Sequence, residues 1–228
     1  MQQRIAARFG LVFVCSLVVL SGCTSVNKVK RTLALNDLHI QAAVAEDRGD
    51  DEAAYDLWTE YVDRRPNSQL AEYRLGLVET RLGLYTPAVG HLRVAHDLAP
   101  GNLEYLEALS SALALDGRSE ALLNLLRQTV DEGPAGSGYL RLAKFATQIG
   151  QMDEAKAAIE SAIVYWHGDL SEPYLAMADF AHAIQDTNLE IMSLRHVLWF
   201  DPAAESILNR IEGLGIIPGP SLAVEPTR

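Results

Sequence analysis

Four glycines mark a regular step along this chain. Gly49, Gly83, Gly117 and Gly150 are spaced 34, 34 and 33 residues apart, and Pro66 and Pro100 repeat the 34-residue step. Pro202 lies four such steps beyond Pro66. A fixed period of this length marks an array of small units, each burying its apolar face only on its neighbours. On both sides of each glycine, apolar residues recur at i, i+3, i+4 and i+7, the pattern of an amphipathic helix. The glycine falls where a turn needs a residue without a Cβ. The proline follows the second helix, where it stops propagation. The unit is therefore a helical hairpin, and the fold class is all-α.

The unit resembles the tetratricopeptide repeat, a 34-residue helix–turn–helix. Residues 69–102 carry the motif most clearly, with Leu75-Gly76, Gly83, Ala88, Leu92, Ala95 and Pro100 at its packing positions. Residues 35–68 offer Ala42, Gly49, Ala54, Trp58 and Pro66. Residues 136–170 offer Tyr139, Leu142, Ala143, Gly150, Ala155, Ile159 and Ala162, and residues 171–202 offer Tyr174, Met177, Ala178, Ala181, Leu194 and Pro202. The resemblance implies a right-handed superhelical stack of about five repeats over 35–213, closed by a C-terminal capping helix.

Ala42, Gly76, Ser110, Ala143 and Ala178 fall at one equivalent site, where a larger side chain would push the paired helices apart at a cost of ~1–3 kcal/mol. The pattern departs in two units. The third reads as one residue short after Gly117, which makes Ala121 its inner alanine. The fifth has Gln185 for the turn glycine and Glu190 for the inner alanine, as expected of a terminal unit that is partly a cap. In the helix predicted over 203–213, Ile207, Leu208 and Ile211 can close the stack. The tail, 214–228, holds three prolines and no period, and is expected to run extended, touching the body through Ile216 and Ile217 and loose beyond Pro218.

The N-terminus reads as an address. Arg4 and Arg8 precede a ten-residue stretch, Leu11 to Leu20, that is apolar except for Ser16. A membrane-spanning helix needs about 20 such residues, whereas the h-region of a secretory signal needs about 7–15. Leu20-Ser21-Gly22-Cys23 resembles the bacterial lipobox, which implies a lipoprotein signal peptide over 1–22 and lipidation of Cys23. A plain signal peptide or a signal anchor would share the first two regions. Thr24 after the cysteine implies, by the same resemblance, an outer membrane facing the periplasm. Residues 23–34 then form a lipidated tether.

Chemistry is hard to place on this chain. Its formal charge of −11 argues against nucleic acid, whose affinity comes mainly from Lys and Arg. Six histidines form no HExxH pair, and His91 and His96 point to different helix faces. Gly133 to Gly138 lacks the lysine of a phosphate loop and reads as a flexible turn between units. Trp58 sits at a packing position, while Trp166 and Trp199 lie near the ends of second helices. No cofactor, metal or catalytic group is expected.

Binding is the function that the resemblance implies. In such stacks the first helix of each unit lines a concave face. Transferred by position, the residues of that face are Tyr73, Leu77, Arg81, Glu104, Glu107, Leu140, Lys144, Gln148 and Asp179, with Glu46 and Asp47 from the first unit. Such a groove fits a peptide or protein partner held by apolar pockets and a few charge pairs, with Tyr73 and Arg81 the favoured anchors. A self-associating envelope protein is the alternative, and a small-ligand binder or enzyme a third.

Overall fold

The computed structural model describes residues 23–134, 136–219 and 221–226, with side chains from residue 34 onward. The expected signal peptide, 1–22, and the Cys23 side chain lie outside the described residues. Among the described residues eleven helices run in order: α1 (Cys23–Asp47), α2 (Asp51–Arg64), α3 (Gln69–Arg81), α4 (Tyr85–Leu98), α5 (Leu103–Leu115), α6 (Ser119–Gln128), α7 (Ser137–Gln148), α8 (Met152–Tyr165), α9 (Glu172–Ala183), α10 (Thr187–Phe200) and α11 (Glu205–Gly213). They form five hairpins, α1–α2 to α9–α10, plus the end helix.

The turn inside each hairpin is the same device. Gly49, Gly83, Gly117 and Gly150 adopt φ of +71°, +77°, +74° and +77°. The next amide reaches back to the carbonyl five residues earlier, as in Leu84 N–H to Glu79 O at 2.8 Å and Gln151 N–H to Ala146 O at 2.8 Å. This satisfies carbonyls that a helix end leaves free. Gln185 takes φ +60° in the fifth hairpin, a conformation costing a side-chain-bearing residue about 1–2 kcal/mol. Gln185→Gly should therefore raise stability by about 1 kcal/mol in urea denaturation.

Close approach explains the small residues. Ala42, Ser110, Ala143 and Ala178 are buried, and a Cβ at Gly76 would stand 2.5 Å from Leu92 Cγ on α4. The third unit keeps register, contrary to the sequence expectation. Ala121 is exposed, and Leu122 fills the inner position five residues after the turn glycine, where Ala54, Ala88 and Ala155 sit in other units. A larger residue occupies the site, and no residue is missing between it and the turn glycine.

Residues 23–34 form the first part of α1. One further expectation is corrected. The glycine-rich segment is packed where a flexible turn was expected: Gly138 lies against the Val130 backbone, and Gly136, at φ +78°, lies against Trp166 and Tyr165.

The stack ends as a cap. Ile207 and Ile211 of α11 are buried against Tyr174, Ala178, Leu194, Val197 and Leu198, with Leu208 beside them. The tail is not loose beyond Pro218. Val224 N–H donates to Arg195 O at 3.1 Å, and Arg195 Nε donates to Leu222 O at 2.8 Å. His196 Nδ1 stands 3.0 Å from Val224 O, which only accepts, so this nitrogen carries the proton. Leu222 and Ala223 pack on the terminal core together with Ile216, whereas Ile217 is 91% exposed.

Candidate partner-binding groove

Five first helices, α1, α3, α5, α7 and α9, carry the candidate face. Most of its charged groups are paired between neighbouring units. Arg81 Nε donates to Asp51 Oδ1 at 2.7 Å, and its Nη2 stands 3.4 Å from Glu46 Oε2. Arg74 Nη1 approaches the same Glu46 oxygen at 3.7 Å, while Trp58 Nε1 donates to Glu46 Oε1 at 2.7 Å. Glu46 thus ties the buried Trp58 to two arginines at the mouth of the first joint. Lys144 on α7 pairs with Glu107 on α5.

Tyr73 does not stand open in the groove. It is 7% exposed, its ring lies 4.6 Å from that of Tyr105, and its hydroxyl donates to Glu104 Oε1 at 2.8 Å. Burial first, then the Glu104 carboxylate, hold its proton well above the ordinary tyrosine range. Tyr73 and Glu104 therefore lock α3 to α5. Leu77 and Leu140 are half-buried, whereas Arg81, Lys144 and Gln148 face solvent.

Asp179 lies at the far end and is held by a residue outside the repeats. Arg210 of α11 donates from Nη1 to Asp179 Oδ1 at 2.6 Å, from Nε to Glu190 Oε1 at 2.7 Å and from Nη2 to Ala178 O at 3.1 Å. Burial works against the Arg210 charge, but the bonds to Asp179 and Glu190 outweigh it and hold the guanidinium above its ordinary range. Sequence reasoning missed Arg210, Arg74 and Asp51. Asp51 and Arg74 fall outside the inward-facing positions, and Arg210 arrives from a helix read only for its apolar stripe.

A second buried polar cluster ties α3 to α4. His91 Nδ1 lies 2.7 Å from Glu72 Oε2, and Nε2 lies 3.6 Å from Glu79 Oε1. Glu79 is 2% exposed, and its Oε2 has no hydrogen-bond partner. Burial pushes its pKa up to about 7, against the pull of His91 and with a further push from Glu72. The folded protein therefore binds a proton that the unfolded chain, at 4.5, has released. This stabilisation is complete below the unfolded value and is lost as pH rises through about 7. Its size is on the order of 3 kcal/mol. In thermal melts from pH 4 to 8, Glu79→Gln should remove this decline and leave the variant more stable than the parent at pH 8.

Among the described residues, no group of three or more His, Cys, Asp or Glu side chains is placed to hold a metal ion. No helix there is long and apolar enough to cross a membrane. The arrangement offers a solvated face with ion pairs at two joints and half-buried leucines between them.

These features define a helical repeat stack with a tetratricopeptide-like fold. No family model matches the sequence, and no curated protein matches it. Solved structures match in fold. A tetratricopeptide repeat protein from Parabacteroides merdae ATCC 43184 superposes with a TM-score of 0.60 at 16% identity, over 80% of this chain and 72% of that one. MamA from Desulfovibrio magneticus RS-1 gives 0.56 at 16%, over 75% and 97%. PilW, a type IV pilus biogenesis factor, gives 0.56 at 13%, over 84% and 90%.

Proposed function

We propose that this chain is a non-enzymatic scaffold, tethered to a bacterial envelope membrane by lipid on Cys23, that holds a peptide or protein partner in its concave face. The observation that carries this reading is a solvent-facing face on which half-buried Leu77 and Leu140 accompany the Arg81–Asp51 pair at the first joint and the Lys144–Glu107 pair at the third. An extended segment with apolar side chains and a few charges fits such a surface. The lipobox-like Leu20-Ser21-Gly22-Cys23 and Thr24 support the outer membrane, periplasmic side, and the fold is shared with PilW, a pilus biogenesis factor. Stack-on-stack assembly through the C-terminal end is disfavoured, because α11 covers the surface that a further unit would use.

Tyr73 is too buried to probe the groove without disturbing the core. Arg81→Gln with Lys144→Gln removes both charges at exposed positions without setting a new carboxylate beside Asp51, Glu46 or Glu107. In crosslinking and pull-down from membranes, this double variant should lose the partner recovered by the parent while keeping its circular dichroism and melting temperature. An unchanged set of recovered proteins would put the binding surface elsewhere.

A further inference from the structure

Short connections make successive helices antiparallel. The N-terminal ends of α1, α3, α5, α7 and α9 therefore share one edge of the stack with the C-terminal ends of α2, α4, α6, α8 and α10. The glycine turns occupy the opposite edge. Exposed large apolar residues divide unequally between the two. The turn edge shows single aliphatics, Leu84, Leu115 and Ile184. The other edge shows Leu70 and Leu98 singly and, within the fourth and fifth hairpins, a group made of Val164, 72% exposed, Tyr165, Leu170, Trp199, 48% exposed, and Phe200. Ring contacts run beneath this group, Tyr139 to Tyr165 at 6.2 Å, Tyr165 to Trp166 at 6.1 Å and Tyr174 to Phe200 at 6.3 Å.

The chain also enters on this edge. α1 runs from Cys23, and its first twelve residues, 23–34, precede the segment that pairs with α2. At 1.5 Å per residue they project the start of the helix by about 18 Å. The apolar run Leu11 to Leu20 lies just before that point in sequence.

We propose that this edge lies against a lipid bilayer, with the N-terminal attachment as one foot and the aromatic group of α8 and α10 as the other. The proposal rests on membrane attachment of the N-terminus, as in the function proposed above. Tyrosine and tryptophan favour the headgroup level, where an apolar ring and a polar N–H or O–H are both satisfied. Around the aromatic group this edge exposes Asp131, Glu172 and Asp201, whereas the exposed cations Arg64 and Arg65 sit at its first hairpin, so charge does not draw the aromatic foot to anionic lipid. The surface that fits is zwitterionic, and apolar contact supplies the affinity. The stack then tilts from the projecting N-terminal foot down to the aromatic foot, and the face of its first helices opens sideways to the aqueous side.

The test uses the full chain with phosphatidylcholine vesicles carrying a nitroxide at headgroup depth. The Trp199 signal is isolated as the difference between the parent and Trp199→Phe. Quenching of that difference signal is expected, and it should weaken when phosphatidylglycerol replaces part of the phosphatidylcholine. Stronger quenching on anionic vesicles would overturn the zwitterionic assignment. A chain that floats with the vesicles yet shows no quenching overturns the edge proposal and leaves the N-terminal attachment standing. A chain without lipid on Cys23 by mass spectrometry that is still quenched supports the edge and sinks the lipid anchor. Neither flotation nor quenching sinks both. A photocrosslinker at position 199 that captures protein and no lipid also overturns the proposal, in favour of a protein partner on this edge.

Discussion

Gly138→Ala should break the stack at the joint between its third and fourth hairpins. A Cβ at this position would stand 1.8 Å from Val130 O, 2.5 Å from Val130 C and 2.7 Å from Val130 Cα. These are backbone atoms, so no rotamer change relieves the overlap. Either α7 shifts or the Val130 segment moves off the helix, and both spoil the packing of Leu142, Ala143 and Phe145 behind it. The expected cost is about 3 kcal/mol or more, at the upper end of overpacking changes. In a repeat array each unit is stabilised by its neighbours, so the loss falls on the interface term between two blocks. Thermal melts followed by circular dichroism should move down by roughly 6–12 °C or separate into two steps. Gly90 is the control. It lies exposed in α4, and a methyl added there would meet nothing within 4 Å, so Gly90→Ala should gain about 0.5–1 kcal/mol from helix propensity. An unshifted melt for Gly138→Ala would mean that the Val130 segment yields without penalty.

The role of Gly138 illustrates which parts of this protein are legible in its sequence. The hairpin turns were legible because each is a local device: one glycine at φ near +75° and one returning amide, repeated at the period of the unit. The inner small residues were legible because close helix approach demands them at a fixed offset from that turn. Gly138 obeys neither rule. Its reason is a through-space contact with a loop eight residues earlier, and nothing in the spacing announces it. The same limit applies to the groove. Helix periodicity assigns Tyr73 to a face, but only the position of Tyr105 on the next unit decides that this face is covered there. Lys144 and Glu107, by contrast, fall on facing positions of adjacent first helices and meet as a pair. The tail defeated composition for a related reason. Its prolines forbid helix, but Val224 and Leu222 find partners on Arg195 and His196 of α10, far away in sequence.

Glu190 is the most informative departure from the repeat, and it yields the other large expected effect. Five residues after the turn, other units place Ala54, Ala88, Leu122 or Ala155, all apolar and buried. The fifth unit places a carboxylate at that site, 3% exposed. A charge there is tolerable only if it is paired and hydrogen-bonded. Arg210 Nε supplies the bond at 2.7 Å, His182 Nδ1 lies 3.2 Å from the other oxygen, and the remaining Arg210 donors hold Asp179 and Ala178 O. Arg210→Ala would strand the Glu190 carboxylate beside His182 alone, and breaking a buried pair of this kind costs about 3–5 kcal/mol. Because Arg210 joins α11 to both α9 and α10, amide exchange should show α11 and the tail losing protection before the rest of the stack. The double change Arg210→Ala with Glu190→Ala should recover most of the loss, since it restores the alanine that other units use and removes the charge that needed a partner. Non-additivity in urea denaturation is the readout. If the two losses simply sum, the pair is not what closes this end. If the double variant regains stability, the terminal unit was specialised by substituting one buried alanine and recruiting one arginine, which fastens a helix where the next hairpin would otherwise dock.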